Sequence, residues 1–150
     1  MRHAIALSRK TMQENRGGPF GAVIAKNGTV IAHGLNRVIS TNDPTAHAEI
    51  VAIRAACQTL ETFHLNGCVI YTSCEPCPMC LSAIYWARIE KIYYANTRND
   101  AAHIGFNDDE LYKELTKPSS QRTKPMEQFL RDEALLVFQE WQNKEDKKQY

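Results

Sequence analysis

Two short motifs constrain this chain more than any other feature. The first is His47-Ala48-Glu49 and the second is Pro76-Cys77-Pro78-Met79-Cys80, and each falls where a loop passes into a predicted helix. One imidazole and two thiolates are the protein ligands of a catalytic zinc site, which keeps its fourth tetrahedral position open for water. Any fold of this chain should therefore bring two helix N-termini together, with His47, Cys77 and Cys80 around one Zn²⁺ per subunit.

The pairing of these motifs matches the signature of zinc-dependent deaminases, H-x-E with P-C-x-x-C. Two thiolates cancel the formal charge of Zn²⁺, so the metal acidifies its water less than a three-histidine site does, and a nearby carboxylate base is useful. Glu49 can take a proton from that water and deliver it to a ring nitrogen and then to departing ammonia. Residues two apart do not face the same way on a regular helix, so His47 and Glu49 share a site only if the helix start departs from ideal geometry.

A closed structural zinc site is the alternative, because Cys74 offers a fourth ligand beside the other three. Such a site gives no role to Glu49, and the second ligand cluster usual in zinc ribbons is missing from the sequence. We therefore interpret Cys74 as a buried thiol at the end of a strand. Cys57 and Cys68 are predicted to be bystanders.

Hydrophobic periodicity predicts the order helix, two strands, helix, strand, helix, strand, helix. Asn27-Gly28 is a strong hairpin signal within residues 20 to 33. The segments TAHAEIVAIRAACQTL and PMCLSAIYWAR have the apolar pattern of helices, whereas CVIYTS and KIYYAN are typical of strands. Residues 133 to 147 predict a C-terminal helix. This order indicates an α/β protein with helices on both faces of a mixed sheet.

The amino-acid composition restricts which binding partners and which cellular location we expect for the protein. The 150 residues are 43% hydrophobic, enough for one globular domain over residues 1–150. Eighteen Lys and Arg balance seventeen Asp and Glu, and the formal charge of +1 makes a nucleic-acid partner an unfavoured interpretation. We expect no membrane association and a cytoplasmic location, because no apolar run suits a secretory signal or a bilayer span. Five cysteines favour reduced, metal-binding thiols over a disulfide framework.

The chain resembles the cytidine deaminase-like superfamily and, within it, the bacterial guanine deaminases. The segments that carry the resemblance are GGPFGAVIAKNG, NDPTAHAEIVAIRAAC, YTSCEPCPMCLSAIYWAR, DAAHIGFND and the C-terminal Tyr. The resemblance implies a three-layer α/β/α sandwich with a mixed five-stranded sheet. It also implies zinc-dependent hydrolysis of guanine to xanthine and ammonia, with a small purine base and water as substrates.

The same resemblance implies which residues contact the base: Asn36, Phe20, Trp86, Asp108, Ala48 and Tyr150. Each of the main ones has a competing structural interpretation. Asn36 suits an ordinary Asn turn, and Phe20 and Trp86 suit a core. Asp108 suits a solvated surface or a helix N-terminus, and a chain end such as Tyr150 is usually frayed.

Similar enzymes are domain-swapped dimers, so the resemblance implies a homodimer in which the C-terminal segment, about residues 133–150, closes a neighbouring active site. Such closure would exclude water from a small polar ligand. Three other functions remain open at this point. The first is a tRNA-specific adenosine deaminase, which needs a basic face. The second is a deaminase of another small aminated base or nucleoside, such as cytosine or guanosine. The third is a non-catalytic, zinc-stabilised interaction domain.

Overall fold

A computed structural model describes residues 1–149 of the chain. It divides into two compact units, Met1–Asp109 and Glu110–Tyr150. The elements of the first unit are α1 (Arg2–Gln13), β1 (Gly21–Lys26), β2 (Thr29–Leu35), α2 (Val38–Thr41), α3 (Ala48–Thr59), β3 (Cys68–Cys74), α4 (Pro78–Trp86), β4 (Lys91–Asn96) and α5 (Arg98–His103). The predicted hairpin is confirmed, since Asn27 and Gly28 join β1 to β2 with positive φ angles of 51° and 79°.

The strands form one mixed sheet in the order β2-β1-β3-β4. Strand β1 runs antiparallel to both β2 and β3, whereas β3 and β4 are parallel. The start of β1 therefore lies beside the ends of β2 and β3, as the pairs Gly21 with Leu35 and Ala22 with Thr72 record. The parallel pair Cys74 with Asn96 places the end of β4 at the same edge.

The expectation of five strands is wrong for the part of the chain that the structure describes, where the sheet has four. Thr97, directly after β4, caps a helix instead of leading to another strand. Its hydroxyl accepts a hydrogen bond from the Asp100 amide, and the Asp100 carboxylate accepts one from the Thr97 amide at 2.8 Å. This capping box commits the chain to α5.

Helices cover both faces of the sheet, as predicted. On one face α3 and α4 pack against the alternate side chains Ala22 and Ile24 of β1. On the other face α1 packs its Ala4 and Leu7 against Val23, the residue between them. The period of two in β1 thus gives each face its own apolar core.

Gly34 sets how closely α3 lies against β2. A Cβ atom at this position would lie 2.0 Å from the carbonyl oxygen of Ala48 and 2.6 Å from the amide nitrogen of Ala52. Only a residue without a side chain permits that approach. The first turn of α3, which carries the H-x-E motif, is consequently fixed against the sheet.

The second unit contains α6 (Asp109–Thr116), which starts at the last residue of the first unit, a 3₁₀ helix (Ser119–Gln121) and α7 (Arg131–Asn143). Its described residues, 110–149, bury no side chain fully. Large apolar side chains on α7 are exposed: Leu136, Val137, Phe138 and Trp141. Within residues 1–149, no helix combines the length and apolar character that a membrane crossing needs.

Candidate active site

The two motif helices start at the sheet edge where β1 begins and β2, β3 and β4 end. His47 is the N-cap residue of α3 and Cys77 is the N-cap residue of α4. Both have extended backbones, with ψ angles of 155° and 168°. Pro78 follows as the first residue of α4, a position where its missing N–H costs nothing.

The side chains of the two motifs meet between these helix starts. The Nδ1 atom of His47 lies 3.6 Å from the Sγ of Cys77 and 3.5 Å from the Sγ of Cys80. Among the residues that the structure describes, these three form the group that could hold a metal ion.

The spacing of these donor atoms suits zinc. Zn–S bonds of about 2.3 Å and Zn–N bonds of about 2.05 Å at a tetrahedral angle place nitrogen and sulfur about 3.5 Å apart. The observed distances of 3.5 and 3.6 Å agree with that value. The geometry and the donor types therefore both fit a three-ligand Zn²⁺ site.

The protonation of the three candidate ligands is coupled. The pKa of Cys77 is lowered to about 4, first by the hydrogen bond that it accepts from the Cys80 thiol and also by His47. Donating that bond raises the pKa of Cys80, and burial adds to the effect. The pKa of His47 is raised, first by its interaction with Cys77. These interactions favour the thiolate form of Cys77, and a divalent cation would displace the protons that remain on the group.

Glu49 lies beside this group on the first turn of α3. It is only 7% exposed, and burial raises its carboxyl pKa, with the charge of Cys77 adding to the rise. Its side chain also interacts with that of Cys80. The helix geometry that His47 and Glu49 need in order to share a site is present, because His47 lies outside the helix as its N-cap.

Cys74 is separate from the candidate ligands. Its thiol lies 3.6 Å from the carbonyl oxygen of Thr97, to which it donates. Burial, followed by the charge of Glu49, raises its pKa to about 11, so the sulfur stays a neutral thiol at physiological pH. Cys74 is absent from the metal-binding group found among residues 1–149.

Three of the residues implied to contact the base lie at the same sheet edge. Asn36 follows β2 and is buried, and its Oδ1 accepts a hydrogen bond from the Val38 amide at 3.3 Å. The Asn36 amide itself donates to the carbonyl oxygen of Phe20 at 3.2 Å. Ala48 is fully buried as the first residue of α3. The Asn turn expected from the sequence is therefore present, and it uses the Oδ1 of Asn36.

Asp108 also lies near the metal-binding group. Burial raises its pKa, and the charge of Cys77 adds to the rise while Arg98 opposes it. The segment before Asp108 reaches the sheet edge through Phe106, whose ring packs edge-on against Phe20 at 5.0 Å between centroids. Sequence reasoning missed Phe106, although an aromatic residue after Gly105 at the end of an Ala-rich helix was a usable signal.

Another residue missed from the sequence is Ser73. This buried residue near the end of β3 accepts a hydrogen bond on Oγ from the Gly21 amide at 3.0 Å. The bond ties the start of β1 to the end of β3. It therefore fixes the backbone next to Phe20.

The described chain does not bring Trp86 to this group. Trp86 is the last residue of α4, about 12 Å along the helix axis from Pro78, and it is 71% exposed. Tyr150 lies outside the described residues. The roles of both residues stay predictions.

Comparison with known proteins decides the family. Residues 1–96 match the family described as the cytidine and deoxycytidylate deaminase zinc-binding region. The chain belongs to this deaminase family. The resemblance seen in the sequence is therefore confirmed, and the matched region contains all three candidate zinc ligands and Glu49.

The similarity of the chain to individual relatives extends beyond residues 1–96. This deaminase is 51% identical to guanine deaminase from Bacillus subtilis (strain 168) over all 150 residues and 96% of the relative. The X-ray structure of guanine deaminase from Bacillus subtilis matches it with a TM-score of 0.96 at 51% identity, covering 99% of this chain and 95% of that one. The tRNA-specific adenosine deaminase of Aquifex aeolicus (strain VF5) is 37% identical over 82% of this chain and 79% of its own length.

Proposed function

We propose that this deaminase hydrolyses guanine to xanthine and ammonia with one Zn²⁺ per chain, as a step of purine salvage or catabolism. The observation that carries the proposal is the 51% identity to a guanine deaminase along the entire chain. The tRNA-specific adenosine deaminase is less similar and covers less of the chain. A formal charge of +1 also gives little attraction for a tRNA backbone.

His47, Cys77 and Cys80 would hold the metal, and Glu49 would move the protons. When bound, Zn²⁺ would supply a Lewis acid that lowers the pKa of a water molecule. Glu49 would accept a proton from the attacking water, because burial raises the pKa of its carboxyl group. It would pass that proton to a ring nitrogen, and once the water oxygen has bonded to the ring carbon it would carry the second proton of the water to the amino group, which leaves as ammonia.

The base would be held by groups of complementary polarity. Since the Oδ1 of Asn36 accepts from Val38, its Nδ2 donates to an acceptor on the purine ring. Asp108 accepts from an N–H group of the base, and the ring of Phe20 covers one side. The amide of Ala48, in the first turn of α3, has no partner within its helix and is available to the substrate. Guanine offers both acceptors and donors along its edges.

A substrate panel tests this proposal. Purified zinc-loaded protein is given guanine, guanosine, adenine, cytosine and tRNA at equal zinc occupancy, and ammonia release is measured. We expect rapid release from guanine and at least a tenfold lower kcat/KM for the others, about 1.4 kcal/mol of discrimination. Reaction of tRNA alone, or of cytosine in preference to guanine, would overturn the guanine assignment.

We further propose that the chain acts as a homodimer in which about residues 133–150 dock on the neighbouring chain, and that both units belong to one deaminase domain. Residues 110–149 bury no side chain fully and leave the apolar side chains of α7 exposed. Such a segment gains stability only against another apolar surface. Tyr150, at its end, would complete the partner's active site.

Complementation between two inactive variants tests the exchange. A Glu49→Gln chain and a Tyr150→Ala chain are co-expressed with different affinity tags, and the mixed dimer is isolated. If Tyr150 acts in the neighbouring chain, one intact site forms in each mixed dimer, and it regains about half of the wild-type activity. Activity no higher than in the single variants would contradict the exchange, and a monomer by light scattering would contradict the dimer.

The zinc ligands also bear on location. Cys77 and Cys80 bind the metal only while their thiols stay reduced. We therefore place the protein in a reducing compartment, the cytoplasm.

A further inference from the structure

The segment after α5 has a defined backbone that aims Phe106 back toward the sheet. The Gly105 amide donates to the Ala102 carbonyl at 3.0 Å, and the Phe106 amide donates to the Ala101 carbonyl at 3.0 Å. Gly105 has a φ angle of 93°. These two bonds and the left-handed glycine are the elements of a Schellman motif, which ends a helix and reverses the chain.

The ring of Phe106 makes a specific contact at the end of this reversal. It meets Phe20 edge-on, with centroids 5.0 Å apart and planes at 88°, which is a favourable aromatic geometry. Gly18 lies under both rings, since a Cβ there would be 2.8 Å from a carbon of each. Phe106 is nevertheless 46% exposed, so it is not a core residue.

This contact joins two groups that would bind the base. On one side, the backbone of Phe20 accepts a hydrogen bond from the Asn36 amide. On the other side, Phe106 is two residues before Asp108, and the Asn107 side chain accepts from the Asp109 amide at 2.9 Å, which orders the intervening turn. A displacement of the Phe106 ring would therefore change the positions of both Asn36 and Asp108.

We propose that Phe106 is a positioning residue for substrate, which holds Phe20 and Asp108 at a fixed separation across the mouth of the site. The inference rests on the proposed function, because it assigns Phe20 and Asp108 to the base. Phe106 acts through its neighbours and not through the reacting atoms. Its removal should consequently weaken substrate binding more than it slows the chemical step.

Kinetics of three variants test the role. We expect Phe106→Ala to raise KM for guanine about tenfold, with kcat within about twofold of wild type and unchanged zinc content. Phe106→Leu, which keeps apolar volume, should recover part of the loss. Ile104→Ala is the matched control, since Ile104 is an exposed apolar residue of the same segment at 59% exposure, and it should leave KM unchanged.

Amide hydrogen exchange on the protein without substrate supplies a second readout. In Phe106→Ala we expect faster exchange in residues 17–20 and 105–109 and no change around His47 and Cys77. If residues 17–20 of Phe106→Ala exchanged at the wild-type rate, the proposed coupling between Phe106 and Phe20 would be overturned. A fall in kcat with unchanged KM would also overturn it. If the wild-type protein leaves guanine unreacted, the proposed function fails, while the exchange measurement still decides whether the two rings are coupled.

Discussion

His47 and Cys77 do the same structural task in two different helices. Each is an N-cap residue with extended backbone, and neither uses its side chain to cap its own helix. A side chain at this position lies beyond the helix end, where it is free to face another helix start. Two N-cap residues can therefore meet head-on, and the partial positive charge of both helices favours a thiolate between them.

Replacing Glu49 with Gln tests the proton carrier. Gln keeps the volume and polarity of Glu49 but takes up no proton, so we expect kcat to fall by about 10²–10⁴-fold with zinc content unchanged. Steady-state kinetics and elemental analysis measure the two quantities. Glu61→Gln, an exposed carboxylate after α3, is the control and should retain full activity. Loss of zinc together with activity in Glu49→Gln would show that Glu49 supports the metal instead.

Replacing Cys74 with Ser separates an open zinc site from a closed one. Because the Cys74 thiol is neutral and donates to Thr97, we expect Cys74→Ser to keep one zinc per chain and most of the activity. Cys80→Ser should lose the metal. Zinc per chain is measured by elemental analysis after dialysis. A zinc deficit in Cys74→Ser equal to that in Cys80→Ser would favour four protein ligands.

Thr11 provides a stability test far from the chemistry. It is fully buried on α1, and its hydroxyl oxygen has no hydrogen-bond partner in the structure. Since Val has nearly the same shape without the polar group, we expect Thr11→Val to raise the free energy of unfolding by about 1 kcal/mol. Urea unfolding measures the change. Thr59→Val, whose exposed hydroxyl donates to the Ala55 carbonyl at 2.9 Å, is the control and should gain nothing.

At the level of elements, the site depends on where α3 and α4 begin relative to the sheet. Both start at the edge formed by the first residue of β1 and the last residues of β2 and β3. Close packing of Gly34 against Ala48 fixes the first of these helix starts. The rigidity of the metal-binding group thus depends on the packing of α3 against β2.

A Gly34→Ala change should move α3 and weaken metal binding. The added methyl group would overlap the Ala48 carbonyl, so the helix must shift, at a cost of about 1–3 kcal/mol in unfolding free energy. Because His47 moves with the helix, zinc affinity should fall at least tenfold in a competition titration with a chelating dye. Gly28→Ala is the control. It strains a left-handed turn with no atom nearby, and it should lose stability without loss of zinc affinity.

At the scale of the whole molecule, the metal-binding residues link segments that are distant in sequence. His47 is the N-cap of α3, whereas Cys77 and Cys80 lie at the start of α4, beyond an intervening strand. A ligand that binds only the folded arrangement stabilises the fold by mass action. Zinc should therefore act as a structural link as well as a participant in the chemistry.

Metal removal tests this link. With free zinc at about a thousand times its dissociation constant, binding contributes about 4 kcal/mol. For a chain of this size, that corresponds to a fall in Tm of about 8–16 °C on chelation. Differential scanning fluorimetry with and without chelator measures it, and readdition of Zn²⁺ should restore the original Tm. An unchanged Tm in chelator, with metal loss verified, would contradict a zinc contribution to stability.

Several predictions that depend on residues close together in the chain are confirmed. The Asn27-Gly28 turn, the helix start at His47 and the α/β order follow from hydrophobic period and turn chemistry. The zinc-deaminase signature predicted family membership, because the metal requires those ligand types at that spacing. The number of strands, taken from the resemblance, was the exception, since the capping box at Thr97 starts a helix.

Only the tertiary structure decided which distant residues meet. Strand β1 runs opposite to its neighbours, so Phe20 before it comes to lie at the same edge as Asn36 after β2. The Phe20–Phe106 contact joins the start of β1 to the segment after α5, and no local pattern encodes such a pairing. Trp86, by contrast, lies at the far end of the helix that carries two ligands. The sequence specified the chemistry of the side chains, whereas strand direction and packing determined which of them lie close together.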